Sequence, residues 1–261
     1  MRHTIVTMTR GDGHKIAEWL DYHARLGFDD FQVVLDGDVD GTEELLRSLD
    51  VGAEVTVHPR AEVGDYYDGL PPAERRRRVQ AWRELHAAER ASGRMRGTDA
   101  LAWRQHLHLG PLLAPYAAGE RGKGWLGLID VDEFVVLSRH RSIGELMAGQ
   151  QVPRVRFLNF NVDTTGYDPT RPVLEQHSVR WSREDLLEHE DGRWSKRVKS
   201  LVRYRYAKLN ATVHKINRGE HVVLDPDEAR LHHFKMPAAA ELDIPFTVDD
   251  PISMPQRRAA P

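Results

Sequence analysis

The segment Trp125-Leu126-Gly127-Leu128-Ile129 carries no charged side chain and runs directly into Asp130-Val131-Asp132-Glu133. A strand that is apolar on both faces is stable only where both faces are covered, as at the centre of a parallel sheet with helices on either side. This segment predicts a strand at the sheet centre, and the first half of the chain supplies the helices that would cover it. Residues 4 to 9 form a β-branched run that ends at Arg10-Gly11-Asp12-Gly13. Ile16, Trp19, Leu20, His23 and Leu26 then recur at helical spacing, and Gly27 closes that helix. Phe31 to Leu35 reads as a second buried strand stopping at Asp36, Thr42 to Leu49 as a helix, and Ala53 to Val57 as a third strand. Strands alternating with helices imply parallel βαβ units with right-handed crossovers, hence a mostly parallel central sheet flanked by helices.

With 261 residues the chain suits one large domain or two small ones, and one core is the simpler reading. We expect a domain over residues 1–236, divided into a nucleotide-binding half (1–137) and an acceptor-side half (138–236), followed by a Pro-containing, loosely ordered tail (237–261). Later strands are expected at Phe134 to Leu137, Arg154 to Leu158 and Leu231 to Phe234. Residues 59 to 97 read as a polar excursion, with Trp82, Leu85 and Ala88 on one helix, and Thr98 or Asp99 can cap the helix that follows. The net charge of −3 argues against a nucleic-acid partner, which needs a basic face that displaces counterions. No cysteine is present, so any metal must use oxygen or nitrogen ligands, and a reducing compartment suits the chain. The N-terminus meets charge at Arg10 and Asp12, unlike a signal peptide, and no stretch approaches the ~20 apolar residues of a membrane span. The expectation is a cytoplasmic protein without a transmembrane segment, peripheral contact with a membrane being left open.

In open α/β sheets ligands bind beyond the carboxyl ends of the strands. Two acidic clusters fall at such ends. Asp36-Gly37-Asp38-Val39-Asp40-Gly41-Thr42 follows the second strand, and its plainest use is as a turn and helix cap. Asp130 and Asp132 follow the most apolar strand, and residues two apart on extended chain face the same way. Their joint charge calls for a cation, and a hard divalent ion such as Mn²⁺ or Mg²⁺ would also bridge diphosphate oxygens. His106 and His108, two apart on a helix, do not face one way and make no metal site. Arg203 and Arg205 alternate with Tyr204 and Tyr206 as on a strand with one solvated face, whereas Lys199 is a candidate for phosphate. Arg75 to Arg78 read by default as a solvated helix face, with an anionic acceptor or lipid head group as the alternative.

These residues carry a family resemblance. Val33 to Thr42 resembles the Asp-Gly-Ser-x-Asp-Gly-Thr loop of family-2-like GT-A glycosyltransferases, with Asp38 where Ser is usual. Asp130-Val131-Asp132-Glu133-Phe134 is similar to the Asp-x-Asp-Glu-Phe segment of the related family-92 (DUF23)-like group, and Glu18-Trp19-Leu20-Asp21-Tyr22-His23 to that group's first helix. The likeness spans about residues 4 to 137; beyond it, Lys199-Ser200-Leu201-Val202 and Leu231-His232-His233-Phe234 look like the group's late segments. The resemblance implies a single GT-A, Rossmann-like domain in which Thr9 and Arg10 border the nucleobase and Asp36 and Asp40 face base and ribose. It further implies that Asp130 and Asp132 hold donor and metal, with one of His232 and His233 as a further ligand.

The expected activity is metal-dependent transfer of a sugar from a nucleotide-sugar donor to a hydroxyl acceptor, a glycan or other glycoconjugate. A carboxylate would take the acceptor's proton, and Asp163, Glu184 and Asp185 are the candidates; a single in-line step would invert the anomeric carbon. Ser182 gives the last two an alternative use in the first turn of a helix. Two rival readings use the same fold: a nucleotidyltransferase, of whose Gly-rich loop Arg10-Gly11-Asp12-Gly13-His14-Lys15 is a faint version, and a non-catalytic nucleotide- or sugar-binding module.

Overall fold

Alternation between the two faces of β1 (Arg2–Thr9) sets the architecture, because Ile5 and Val6 are both fully buried yet belong to different cores. The computed structural model describes residues 1–64, 66–67, 69–189, 198–209, 219–235 and 244–256. The remaining helices of the first half are α1 (Gly13–Leu26), α2 (Thr42–Ser48), α3 (Pro72–Leu85), α4 (Ala87–Ala91) and α5 (Ala100–Ala118), and its strands are β2 (Asp30–Asp36), β3 (Glu54–Arg60), β4 (Gly124–Leu128) and β5 (Glu133–Leu137). The second half adds α6 (Ile143–Ala148), β6 (Arg154–Asn161), β7 (Val179–Trp181), α7 (Arg183–His189), β8 (Val198–Arg203), β9 (His221–Val223), β10 (Ala229–His233) and β11 (Phe246–Asp249). Ile5, Phe31 and Val33 face α1 and α2; Val6 and Val34 face Leu109 and Leu113 of α5 on the other side.

The central sheet has the order β3-β2-β1-β4-β8-β6-β10-β5, with β9 beside the start of β6. Every strand of it runs in one direction except β8, antiparallel to β4 and β6, and β5, antiparallel to β10. This is the expected α/β domain with a mostly parallel sheet flanked by helices. One edge of the sheet therefore collects the last residues of the forward strands and the first residues of the two reversed ones. Thr9, Asp36, Asp130, Asn161 and His233 reach it from the forward strands, and Glu133 and Lys199 from the reversed ones.

The first helix explains its own motif. Trp19 Nε1 donates to the carbonyl of Glu133 at 2.8 Å, Tyr22 Oη donates to the carbonyl of Val135 at 2.8 Å, and the Val135 N–H donates to His23 Nε2 at 3.3 Å. His23 Nδ1 in turn donates to the Trp19 carbonyl at 2.9 Å, which fixes a neutral tautomer, and burial lowers its pKa to about 3. Glu18 accepts the backbone N–H groups of Val173 and Leu174. The helix thus clamps β5 to the domain, and Gly27 ends it in the left-handed region (φ 103°) that favours glycine.

Three expectations are corrected. The excursion forms two helices, because α3 stops at His86, and only Trp82 of α3 is buried. Tyr204–Tyr206 is a 3₁₀ turn rather than strand, Tyr204 being buried against Tyr116. The tail is ordered over residues 244–256: β11 pairs with β7, Ile244 and Ile252 are buried, and Asp250 takes ion pairs from Arg180 and Arg230. Buried apolar side chains and a half-buried carboxylate anchor this stretch, which its prolines alone did not reveal. Residues 237–243 and 257–261 of that tail lie outside the described residues. Asp99 supplies the cap of α5, accepting the N–H of Ala102 at 2.9 Å. No helix among the described residues is long and apolar enough to cross a membrane.

Candidate functional site

The edge described above holds a compact set of opposite charges. Asp130 and Asp132 stand in the short link between β4 and β5, where the Asp130 N–H donates to Glu133 Oε2 at 3.0 Å and ties the turn together. Lys199, fully buried, places its ammonium 2.6 Å from Asp130 Oδ2 and 3.0 Å from Glu133 Oε2. Asn159 of β6 donates to the other Glu133 oxygen at 2.6 Å. Burial pushes the Glu133 carboxyl up to about 7, with Lys199 pulling the other way and Asp130 reinforcing the rise. For Lys199, burial opposes the charge, but the two carboxylates outweigh it and raise the ammonium above its usual range. The lysine is charged, its ammonium lying within hydrogen-bond reach of both carboxylates.

Asp132 is less enclosed than Glu133. Its Oδ2 lies 3.2 Å from His233 Nε2, and its carboxyl is about a quarter exposed. The contact follows from the ladder: Glu133 of β5 pairs with His233 of β10, and the Phe234 N–H donates to the Asp132 carbonyl at 2.8 Å. Burial would raise the Asp132 pKa, but His233, Lys15 and Lys199 together hold it well below the usual carboxylate range. Burial likewise works against His233 as a cation, and Asp132 overrides it to raise the imidazole. Lys15, buried on α1, pairs with Asp12 at 2.8 Å, and its charge is further supported by Asp132.

Adjacent strand residues face opposite ways, and the His pair obeys this. His232 turns away from Asp132 and joins Asp250 at 3.1 Å beside Arg230; burial lowers its pKa. Of the two, His233 is the one beside Asp132.

The second-strand loop is organised differently from expectation. Asp36 is buried, accepting from Arg104 Nε of α5 at 2.8 Å, so its side chain faces an arginine rather than an open slot. Arg10 donates to the Asp36 carbonyl at 3.2 Å and to Glu62 at 3.0 Å, and its guanidinium lies 3.5 Å from the ring centre of Tyr66, which also meets Arg104 at 4.4 Å. Gly37 adopts a φ of 81°, in the left-handed region that favours glycine, and the Arg10 guanidinium lies in the space a Cβ would take. Asp40 accepts the N–H of Gly13 at 2.9 Å and both the N–H and hydroxyl of Thr42, tying the start of α1 to the start of α2. Burial pushes its pKa up, but these donors prevail and lower it. Thr9 donates to Asp12.

The three candidate bases separate. Asp163 lies two residues beyond β6, just past Val162, whose N–H bonds the carbonyl of His233 at 2.9 Å. Its carboxylate accepts the N–H and hydroxyl of Thr165. Asp185 and Ser182 form a reciprocal cap at the start of α7, so Asp185 serves the helix, and Glu184 is exposed on the same turn. Lys199 departs from the open position expected of a phosphate ligand: its ammonium is enclosed between Asp130 and Glu133. Sequence reasoning missed Arg104 and Asn159, and quoted Lys15 and Glu133 only as members of motifs, without the ion pairs they make here.

Asp132 and His233 face each other as a hydrogen-bonded pair whose spacing would also suit two ligands of one divalent ion. Their donor atoms are 3.2 Å apart, close to the span of two neighbouring ligands each about 2.2 Å from one ion. Among the described residues no group of three or more ligating side chains gathers, so an ion here would take its remaining ligands from phosphate oxygens and water, as Mg²⁺-type sites do.

No family model matches the chain, and no curated protein matches it. Among solved structures it is similar to S. aureus TarS 1–349, at 11% identity over 90% of this chain with a TM-score of 0.42, and to the same fragment in complex with UDP-GlcNAc, at 13% identity over 92% with a TM-score of 0.42. The chain spans 60% of the length of each. It is also similar to HddC from Yersinia pseudotuberculosis, at 9% identity over 88% of this chain and 92% of that one, with a TM-score of 0.41. These overlaps are too loose to decide an activity, which rests on the chain's own geometry.

Proposed function

We propose that the chain is a glycosyltransferase that moves a sugar from a nucleotide-sugar donor to a hydroxyl acceptor, on a GT-A-like domain of the family-2-like and family-92-like kind. The observation that carries this reading is the joining of Asp132 to His233 at 3.2 Å beside Asp130, Lys199 and Lys15, at the carboxyl edge where α/β sheets bind ligands. Asp132 and His233 would hold Mn²⁺ or Mg²⁺, and the ion would stabilise the leaving diphosphate. Lys15, already buried among carboxylates, adds positive charge on the same side, while Lys199 neutralises Asp130 from beneath. The Arg10 guanidinium, stacked on Tyr66, would offer a planar surface near Asp36 for a base, and Asp40 holds the two loops between which the nucleotide would lie. Of the three candidate bases Asp163 is best situated, since it follows β6 beside His233; freed from Thr165, it would accept the acceptor's proton as the hydroxyl oxygen attacks the anomeric carbon and the diphosphate leaves.

Incubation with a panel of nucleotide sugars and Mn²⁺ tests the reading: release of nucleoside diphosphate, lost in Asp132→Asn, is the expected result. One observation favours a second reading. Lys15 follows a Gly-containing loop and its charge reaches Asp132, as a nucleotidyltransferase would arrange a cation for attack at phosphorus. Release of pyrophosphate from a nucleoside triphosphate, in place of diphosphate from a nucleotide sugar, would select it.

A further inference from the structure

The strongest concentration of charge in this molecule lies outside the carboxylate edge. Between Pro72 and Arg96 the sequence has eight arginines and three glutamates, in a chain whose net charge is −3. Arg75, Arg76, Arg77 and Arg78 are all exposed, and α3 leans on the domain through Trp82, its one buried residue. Consecutive helical residues are about 100° apart, so four arginines in a row occupy most of the circumference rather than one stripe. A helix built only to cover a core would not need charge in so many directions.

Two leucines lie with this charge. Leu85, seven residues from Arg78 and hence on the same face of α3, is 76% exposed, and Leu107 of α5 is 50% exposed. Leu107 borders a groove of about 600 Å³ with Trp103 and Pro111, and Arg94, Arg96 and Lys208 line the same groove. The end of α3 is tied to this region, since Arg83 donates to the carbonyl of Thr98 at 2.7 Å. Single exposed leucines are ordinary, but here both stand among clustered arginines.

We propose that α3, residues 94–96 and the outer face of α5 dock the protein onto an anionic lipid surface, with the arginines on the head groups and Leu85 and Leu107 in the interface. Charge complementarity selects an anionic partner, and the leucines select lipid over a soluble polyanion, which would engage the arginines and leave the leucines in water. Each arginine brought to an anionic bilayer strengthens attachment by about fivefold. The excursion begins where β3 ends and returns at the start of α5, where the Ala100 N–H donates to Tyr67 at 3.2 Å, so docking would bring the carboxyl edge of the sheet near the membrane. The inference stands independently of the donor chemistry.

Co-sedimentation of the full chain with vesicles tests it, using phosphatidylcholine alone or mixed with phosphatidylglycerol, at low salt and at about 0.5 M salt. Binding to the mixed vesicles alone, abolished by salt, is expected. Replacing Arg75, Arg76, Arg77 and Arg78 by Gln should weaken it at least about twentyfold, about fivefold for each of the two or more that one side of the helix brings to the surface. Leu85→Ser with Leu107→Ser should weaken it about tenfold, and both variants should melt like the parent. The proposal is overturned by absence of binding to mixed vesicles, by binding that survives the arginine substitutions, or by leucine substitutions without effect on vesicles in a protein that also binds heparin, which would make the face a polyanion site.

Discussion

His233 Nε2 stands 3.2 Å from Asp132 Oδ2, although 101 positions separate them in sequence. The antiparallel pairing of β10 with β5 brings the two together, and α1 clamps β5 from above through Trp19, Tyr22 and His23. His233 is therefore set by a strand ladder, and Asp132 by the short link that enters it, held by the Phe234 N–H on its carbonyl, which favours a fixed geometry.

The buried pair of Arg104 with Asp36 supports the second-strand loop. Arg104→Met should destabilise the protein by about 3–5 kcal/mol, because it leaves a carboxylate uncompensated in the interior. Adding Asp36→Asn to that variant should restore part of the loss. Urea unfolding of the two variants checks this; a single variant as stable as the parent would show that the pair does not hold the loop.

Asp40 joins two loops through the Gly13 and Thr42 N–H groups. Asp40→Ala should cost about 1–2 kcal/mol, the usual effect of losing an acceptor for such donors, and should weaken nucleotide binding more than Asp40→Asn, which keeps one acceptor oxygen. Equal nucleotide affinity in all three proteins would remove Asp40 from the site.

His23 makes the fold acid-sensitive. Its folded pKa, about 3, lies below the ordinary 6.5, so the unfolded chain takes up a proton that the native state refuses. Stability is then complete above pH 6.5 and falls as the pH drops toward 3, by about 2 kcal/mol at pH 5 from this residue. His23→Phe should start less stable at neutral pH, for want of two hydrogen bonds, and should lose less between pH 7.5 and pH 5. Parallel losses in variant and parent would place the acid sensitivity elsewhere.

The local elements were legible in the sequence because periodicity reports burial: Ile16 to Leu26 and Trp125 to Ile129 form the helix and the buried segment their patterns imply. Strand order was not, since nothing in Val198–Arg203 says that it inserts between β4 and β6, and nothing in Phe246–Asp249 announces its pairing with β7. The same division runs through the site. Asp130, Asp132 and the His pair were visible as motifs, and the alternation of strand residues foretold that a single histidine could reach. Arg104 on Asp36 and Asn159 on Glu133 were hidden, because each contact joins residues distant in sequence whose types are ordinary for a helix and a strand.

The most direct test of the donor site is the melting temperature with nucleoside diphosphates, in Mn²⁺ and in chelator, for the parent, Asp132→Asn and His233→Gln. A ligand at about a hundred times its dissociation constant adds about 2.7 kcal/mol, roughly 5–10 °C for a chain of this size. The account predicts such a rise for at least one diphosphate in Mn²⁺, a much smaller one in chelator, and loss of the metal-dependent part in both variants. Equal rises with and without Mn²⁺, or a full metal-dependent rise in Asp132→Asn, would contradict it.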